Sequence, residues 1–527
     1  MEWLISRKFR VWIRRVIDNL KALVVVLGIA VIVFAVAKPF CLRFMAEADF
    51  SRRRNIWFAL TITAFVSPSF WVFAAVALPL LAWGAHKDPN PLALFMLVYC
   101  VIPLTLRFEI PVAGINALFP MTYLRVVAFA VLIPVAWQLL HSKNQTGTGK
   151  ITTVELFVLA YFVLATALSW PYQTITEHTR GTFLYFLDVF LLYFVAIRAC
   201  ATRKAVIEVM ATFCLLCAVL ASLAVFESVR GWLLYVEIGS VWGNPITFAY
   251  VQRAGSLRAQ VTAGQSIPLG YVLAFGFGIW LYLSSHVNSR FWTVAYGILM
   301  WAGMIASSAR APWIAAVAIF FTFIILGPNA TARFWKASLV SALIVGLVFI
   351  SPIGGSMIDR LPFVGTVDQE NVEYRQQLAT LSWQLVKKNP FFGDPFYAKN
   401  LEALRQGEGI IDLVNTYAQI AMSKGLIGLF LYLGPYLIGL WTTFRLSRSW
   451  TRPDSDLSLL GAVLAACIFG FLLAMAMGGF GPAPGTFGIV VIGLSVAYSR
   501  LGLEKETALV KPSGQSRTQP QKFMTRS

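Results

Sequence analysis

Charge is scarce along this chain. Only 13% of its 527 residues are Asp, Glu, Lys or Arg, where soluble globular domains carry about 25%. With 58% of the residues hydrophobic, a water-soluble fold of this length could not bury the excess, because the buried fraction is bounded by surface-to-volume scaling. Lipid is therefore the solvent for most of the chain, and no large part reads as a soluble domain. Segments of about ten alternating residues, the mark of a membrane barrel, are lacking too. That leaves helices, whose backbone polar groups pair within their own segment.

Histidine, cysteine and acidic residues are also few. The four histidines (His86, His141, His178, His286) fall at the ends of apolar runs with no ligand spacing, so neither a metal nor another cofactor is expected. The six cysteines (Cys41, Cys100, Cys200, Cys214, Cys217, Cys467) lie mostly inside or at the ends of such runs. Cys214 and Cys217 have no second pair to complete a metal site, and all six read as buried thiols rather than a disulfide framework. Lys and Arg outnumber Asp and Glu by 43 to 24, for a net charge of +19. This does not imply nucleic acid, since basic residues accumulate in the cytoplasmic loops of membrane proteins. The QTGTGK stretch ending at Lys150 resembles a phosphate loop, but Asn144 and Ile151 stand where glycine and Ser/Thr are needed.

What is present is a series of apolar runs near the ~20 residues that cross ~30 Å of hydrocarbon. They fall near 22–38, 56–84, 92–107, 123–140, 152–169, 181–197, 205–226, 264–284, 291–306, 311–327, 336–351, 426–445, 457–476 and 486–500. The expected fold is an all-α integral membrane protein with about fourteen spans. Arg7, Lys8, Arg10, Arg14, Arg15 and Lys21 precede the first run, which reads as a retained anchor without a cleavage site. Lysine and arginine in the short loops put both termini in the cytoplasm. The expected organisation is a basic cytoplasmic N-terminus (1–21), a first membrane bundle of about eleven spans (22–351), a large external loop (352–425), three last spans (426–502) and a disordered cytoplasmic tail (503–527). One loop, 39–55, breaks the charge rule: Arg43, Arg52, Arg53 and Arg54 come out external. Either 56–84, broken at Ser67-Pro68, is re-entrant or those arginines are functional.

The external face presents Arg253 and Arg258 in RAGSLRA, Arg310 in SSARAPW and Arg375 in EYRQQL, with Arg360 and Arg405 as further candidates. Guanidinium binds phosphate bidentately and stays charged in a low dielectric, so several at one face suit a pyrophosphate clamp; headgroup snorkelling or loop ion pairs are the plainer reading. Near the end of the long loop, Asp412 is placed either as a general base for a hydroxyl or as a helix N-cap. Asn415 and Tyr417 follow as candidate substrate contacts, with Trp383 and Tyr374 as candidate stacking platforms for sugars.

These residues carry a resemblance. Arg253–Ala259 before a span, Ser307–Trp313, Arg375, Asn389-Pro390-Phe391-Phe392-Gly393, and Val414-Asn415 through Gly425-Leu426-Ile427-Gly428-Leu429 follow the order seen in the bacterial O-antigen ligase and polymerase family. The resemblance covers about 250–445. It implies metal-independent glycosyl transfer from a polyprenyl-pyrophosphate-linked oligosaccharide at the periplasmic face of the inner membrane, alongside flippase and chain-length regulator proteins. Family ligases carry histidine directly before the asparagine that opens the helix, where Val414 stands here. That departure shifts the expectation from ligase to polysaccharide polymerase. From another class, a transporter of lipid-linked glycan is the alternative, for which Asp188 inside a span is the main pointer.

Overall fold

The computed structural model describes residues 2–110, 119–141, 151–245, 250–253, 255–350, 369–405, 411, 413, 415–449, 456–478 and 481–510. The chain is an all-α membrane protein: among the described residues, ten helices are long and apolar enough to cross a bilayer. Large side chains such as Val24, Trp137, Phe291 and Leu339 stand on the outside of the bundle, where lipid rather than water makes that exposure favourable.

In chain order the helices are α1 (Glu2–Cys41), α2 (Glu47–Val66), α3 (Phe70–Lys87), α4 (Pro91–Val98), α5 (Tyr123–His141), α6 (Thr153–Tyr172), α7 (Ile175–Ala199), α8 (Arg203–Arg230), α9 (Val236–Val241), α10 (Ser266–Leu283), α11 (Arg290–Ala306), α12 (Arg310–Leu326), α13 (Ala330–Ile350), α14 (Gln369–Lys388), α15 (Thr416–Ser449), α16 (Asp456–Met477) and α17 (Pro482–Val510). Two short hairpins interrupt them: β1 (Phe108–Glu109) with β2 (Pro120–Met121), and β3 (Gln252–Arg253) with β4 (Ser256–Leu257).

Close approach at the centre depends on small residues, which let helices pack without a hydrophobic drive between them. A Cβ on Gly276 of α10 would lie 2.6 Å from the Cys217 sulfur of α8, and one on Gly278 would lie 2.6 Å from Ile319 of α12. The thiols of Cys214 and Cys217 point across this seam to the carbonyls of Gly276 and Val272, each at 3.6 Å. All six cysteines are buried and free.

Two departures from the expected elements matter. The 56–84 run is two helices, α2 and α3, separated at 67–69 by a turn in which Ser69 caps α3. The 92–107 run is helical only to Val98 and then continues without regular structure to β1, its backbone held by Leu104 N donating to Thr262 O at 3.2 Å. The first and last elements also run past their expected limits. Residues 2–21 are the first turns of α1 rather than a separate segment, and α15 begins inside the 352–425 loop. The tail from 511 lies outside the described residues.

The bundle has two ends. At one, the loop end, Asn19 donates to Phe65 O, Trp242 Nε1 to Ser67 O, and α14 packs on the first turns of α15. At the opposite end Arg43 donates to His286 O, His286 and Arg203 pair with Asp456, and Arg500 donates to Ile197 O. The loop with Arg43 and Arg52–Arg54 therefore sits with Arg203, not with Arg253. From residue 19 to residue 41, α1 rises about 33 Å at 1.5 Å per residue, enough to cross the hydrocarbon. The chain consequently starts at the loop end and finishes at the opposite one. The expectation of both termini on one side does not fit, because splitting 56–84 into two helices shifts every earlier pass by one.

Candidate active site

Sequence places Arg253 and Arg258 on one segment and Arg310 on another, and the fold brings the two segments together at the loop end. The β3–β4 hairpin presents Arg253, whose Nη1 donates to Ser308 O at 3.4 Å. Ser308 sits in the tight turn between α11 and α12 with a φ of 50°, a strained value for a side chain that is not glycine. Arg310 opens α12 directly after it. Ala259 N donates to Ala306 O at 3.0 Å, tying the strand after the hairpin to the same turn. Gly270 of α10 then faces Pro312 and the Ser307 hydroxyl so closely that a Cβ would stand 2.7 Å from the proline ring.

Arg258 is the strained member. It is partly buried, and its Nε is shielded from solvent with no acceptor among the described residues. Burial, and then the neighbouring Arg253 charge, push its guanidinium down to about 10. It still carries charge at neutral pH, so a like-charged pair is held in a poorly solvated site. Such an arrangement favours an anion and marks a functional candidate.

Arg375, on α14, is exposed, and its charge bears on Tyr271 of α10, the residue after Gly270. It thus overlooks the cluster from the loop. The loop itself rests on α15 through a break in that helix. At Gly425, φ is 69° and ψ is −175°, and the orphaned backbone groups are met by the Asn389–Asp394 turn: Leu426 N donates to Pro390 O at 2.7 Å, Ile427 N to Phe391 O at 3.3 Å, and Asp394 N to Met422 O at 2.7 Å. A small core of Leu378, Val386, Leu401, Leu404, Ala421 and Met422 seals this contact. The two motifs of the resemblance are therefore the two halves of one joint.

The remaining expected residues fall elsewhere. Asn415 caps α15, its Oδ1 accepting from Tyr417 N and Ala418 N, which is the capping role also weighed for Asp412. The Tyr417 hydroxyl donates to Leu472 O at 2.5 Å. Arg405 pairs with Glu402 one turn away on the surface. Trp383 is exposed on α14, and Tyr374 is half-buried beside Arg375 and packs against the loop core. Arg360, Asp412 and Val414 lie outside the described residues.

Sequence reasoning missed Glu227. Its buried carboxylate accepts from Leu234 N at 2.9 Å and from Gln260 N and Val261 N at 3.0 Å each, pinning both ends of the loop that carries Arg253 and Arg258. The available signal was an acid in the last turn of α8, where the helix dipole disfavours negative charge.

Residues 295–433 match a family model described as O-antigen ligase. The match covers the Ser307–Arg310 turn, Arg375 and the Gly393–Gly425 joint, and it supports the resemblance to the O-antigen ligase/polymerase family. No curated protein matches the chain.

Proposed function

We propose that this chain is a polysaccharide polymerase of the bacterial inner membrane, joining polyprenyl-pyrophosphate-linked oligosaccharide repeats at the periplasmic face. The observation that carries the reading is Arg258, which is partly buried beside Arg253 with an Nε that no acceptor among the described residues satisfies. A leaving pyrophosphate supplies the missing charge. A hydroxyl of the incoming lipid-linked unit attacks the anomeric carbon of the growing chain; the bond from that carbon to the pyrophosphate oxygen breaks, and the lipid pyrophosphate departs with the electron pair. Arg253, Arg258, Arg310 and Arg375 stabilise the charge that develops on it. The hydroxyl proton passes to a base, for which Asp412 is the candidate.

The loop end is read as periplasmic, because Arg43, Arg52, Arg54, Lys87, Arg203, Lys204, Arg445 and Arg448 all belong to the opposite end. A ligase that moves finished glycan to another acceptor is the second reading, favoured by the description of the matching family; Val414 in place of histidine weighs against it.

The test is a chromosomal deletion complemented with wild type, Arg258→Ala, Arg310→Ala or Arg375→Ala, followed by gel analysis of lipid-linked glycans. Accumulation of single repeats on the carrier, rescued by wild type but at least tenfold less by the arginine variants, is expected. Full-length polymer stranded on the carrier identifies a ligase. Lipid-linked units trapped at the cytoplasmic face identify a transporter and sink the clamp.

A further inference from the structure

A second arginine-bearing site lies on the other side of the wall formed by residues 99–107. A cavity of about 300 Å³ opens among α4, α5, α7 and α17, at the lower end of the roughly 300–1,000 Å³ of small-molecule sites. It is polar at the loop end and apolar below. Arg107, Arg125 and Asp188 stand near its mouth, while Leu132, Leu192 and Ile489 line its deeper part. Arg125 holds Asp188 in a bidentate pair, at 3.1 and 2.7 Å, and also donates to Pro120 O. Arg107 is exposed, and its side chain makes no hydrogen bond or ion pair among the described residues.

Two further features set this cavity apart. Its walls carry both π turns found among the described residues, Ala128–Leu132 in α5 and Phe186–Phe190 in α7, and Asp188 lies within the second. Single π turns inserted in α-helices are concentrated at functional sites. Ionised groups at a membrane-embedded cavity are also costly unless they serve a ligand.

Two guanidiniums and one carboxylate leave a net charge of +1 over an apolar shaft, which is the complement of an anionic head on a single hydrocarbon chain. We propose that this cavity holds the phosphate head and first isoprenoid units of a single-chain lipid phosphate, the carrier that remains attached to glycan while the other carrier leaves from the Arg253–Arg258 site. The link to transfer rests on the polymerase reading; the binding does not. The anion bonds to Arg107 and competes with Asp188 for Arg125. Because Leu104 N bonds to Thr262 O and a Cβ on Gly264 would lie 2.6 Å from Thr105, the wall between the two sites is one irregular segment thick. Two carriers held on either side of it bring their glycans together at the loop end.

The experiment measures binding of geranylgeranyl phosphate to the full-length protein in detergent by native mass spectrometry, with geranylgeraniol, a fatty acid of similar length and inorganic phosphate as separate probes. Wild type is expected to prefer the lipid phosphate over all three. Arg107→Ala should bind it about tenfold more weakly, as loss of a charge-assisted contact implies; Arg107 is exposed, so the variant keeps its packing. Asp188→Asn should bind several-fold more tightly, because the anion's competitor is gone. Unchanged affinity in both variants overturns the proposal, as does equal binding of the alcohol, the fatty acid or free phosphate. Loss of binding in Arg258→Ala but not in Arg107→Ala places the lipid at the active-site cluster and also overturns it. Retained binding in a protein that proves to make no polymer refutes the polymerase reading while leaving the cavity's ligand in place.

Discussion

Arg53 shows how a residue can look functional in sequence and be structural in the fold. It is 1% exposed, bonds Asp88 through Nε and Nη2 at 2.8 and 2.6 Å, and reaches Glu208 at 2.8 Å. Asn90 completes the network with bonds to Ala205 O and Glu208. Arg53 and Arg52, the latter 3.3 Å from Asp88, thus balance two buried carboxylates from different segments. Removing a partner from such a cluster strands the rest, at a cost of about 3–5 kcal/mol. Arg53→Ala is therefore expected to lower the unfolding temperature in detergent by many degrees, with Asp88→Ala comparable. An unchanged midpoint would show that the carboxylates find another counter-charge. At this scale the sequence told two kinds of arginine apart only by side: Arg258 and Arg310 were legible as odd because they sit on the wrong face, and Arg53 stayed open between function and a break in 56–84. Glu227 was hinted at only by its place in the last turn of α8, because what it does depends on three backbone N–H groups that fold onto it from residues 234, 260 and 261.

Elements were far more legible than contacts. Apolar runs located the middle of most membrane helices, because hydrocarbon thickness fixes their length independently of tertiary packing, while α1, α15 and α17 run about ten residues or more past their expected limits. The exceptions are places where packing overrides the run. Residues 99–107 read as helix because they are apolar, yet they form an irregular series of turns whose backbone bonds, through Leu104 N, to the 3-10 turn at Val261–Ala263. The break in α15 is the other exception, and its two glycines explain it. Gly393 and Gly425 both have a φ of 69°, and a Cβ on Gly425 would collide with the Phe391 carbonyl. No rearrangement short of parting the loop from the helix relieves that clash. Gly425→Ala should destabilise the joint by roughly 1–3 kcal/mol from backbone strain alone, and free the α14 region to protease. Limited proteolysis reads this directly: faster cleavage between 369 and 405 at an unchanged global unfolding temperature is expected. Cleavage at the wild-type rate would mean that the loop is held by something other than this joint.

At the scale of the whole molecule, one misread turn inverted the topology of everything before it. Treating 56–84 as a single span put the 39–55 arginines outside and the N-terminus inside; two helices reverse both. The reversal removes one anomaly and creates another, since the Arg43 loop now obeys the charge rule while Arg15 stands with Glu237 at the loop end. The first helix usually dominates orientation, but counted over all the short loops the basic residues at the opposite end outvote those preceding α1, so the arrangement with Arg43 in the cytoplasm is the one expected in cells. Because all six native cysteines are buried, single introduced cysteines report sidedness against a low background. Gln252→Cys and Arg15→Cys should react with a membrane-impermeant maleimide in cells whose outer membrane alone has been opened, and Ala46→Cys only after the inner membrane is permeabilised. Labelling of Ala46→Cys together with Gln252→Cys would place both on one face. That outcome is incompatible with the Arg43–His286 and Arg203–Asp456 contacts at the opposite end, and the first two helices would then have to be repacked against the rest.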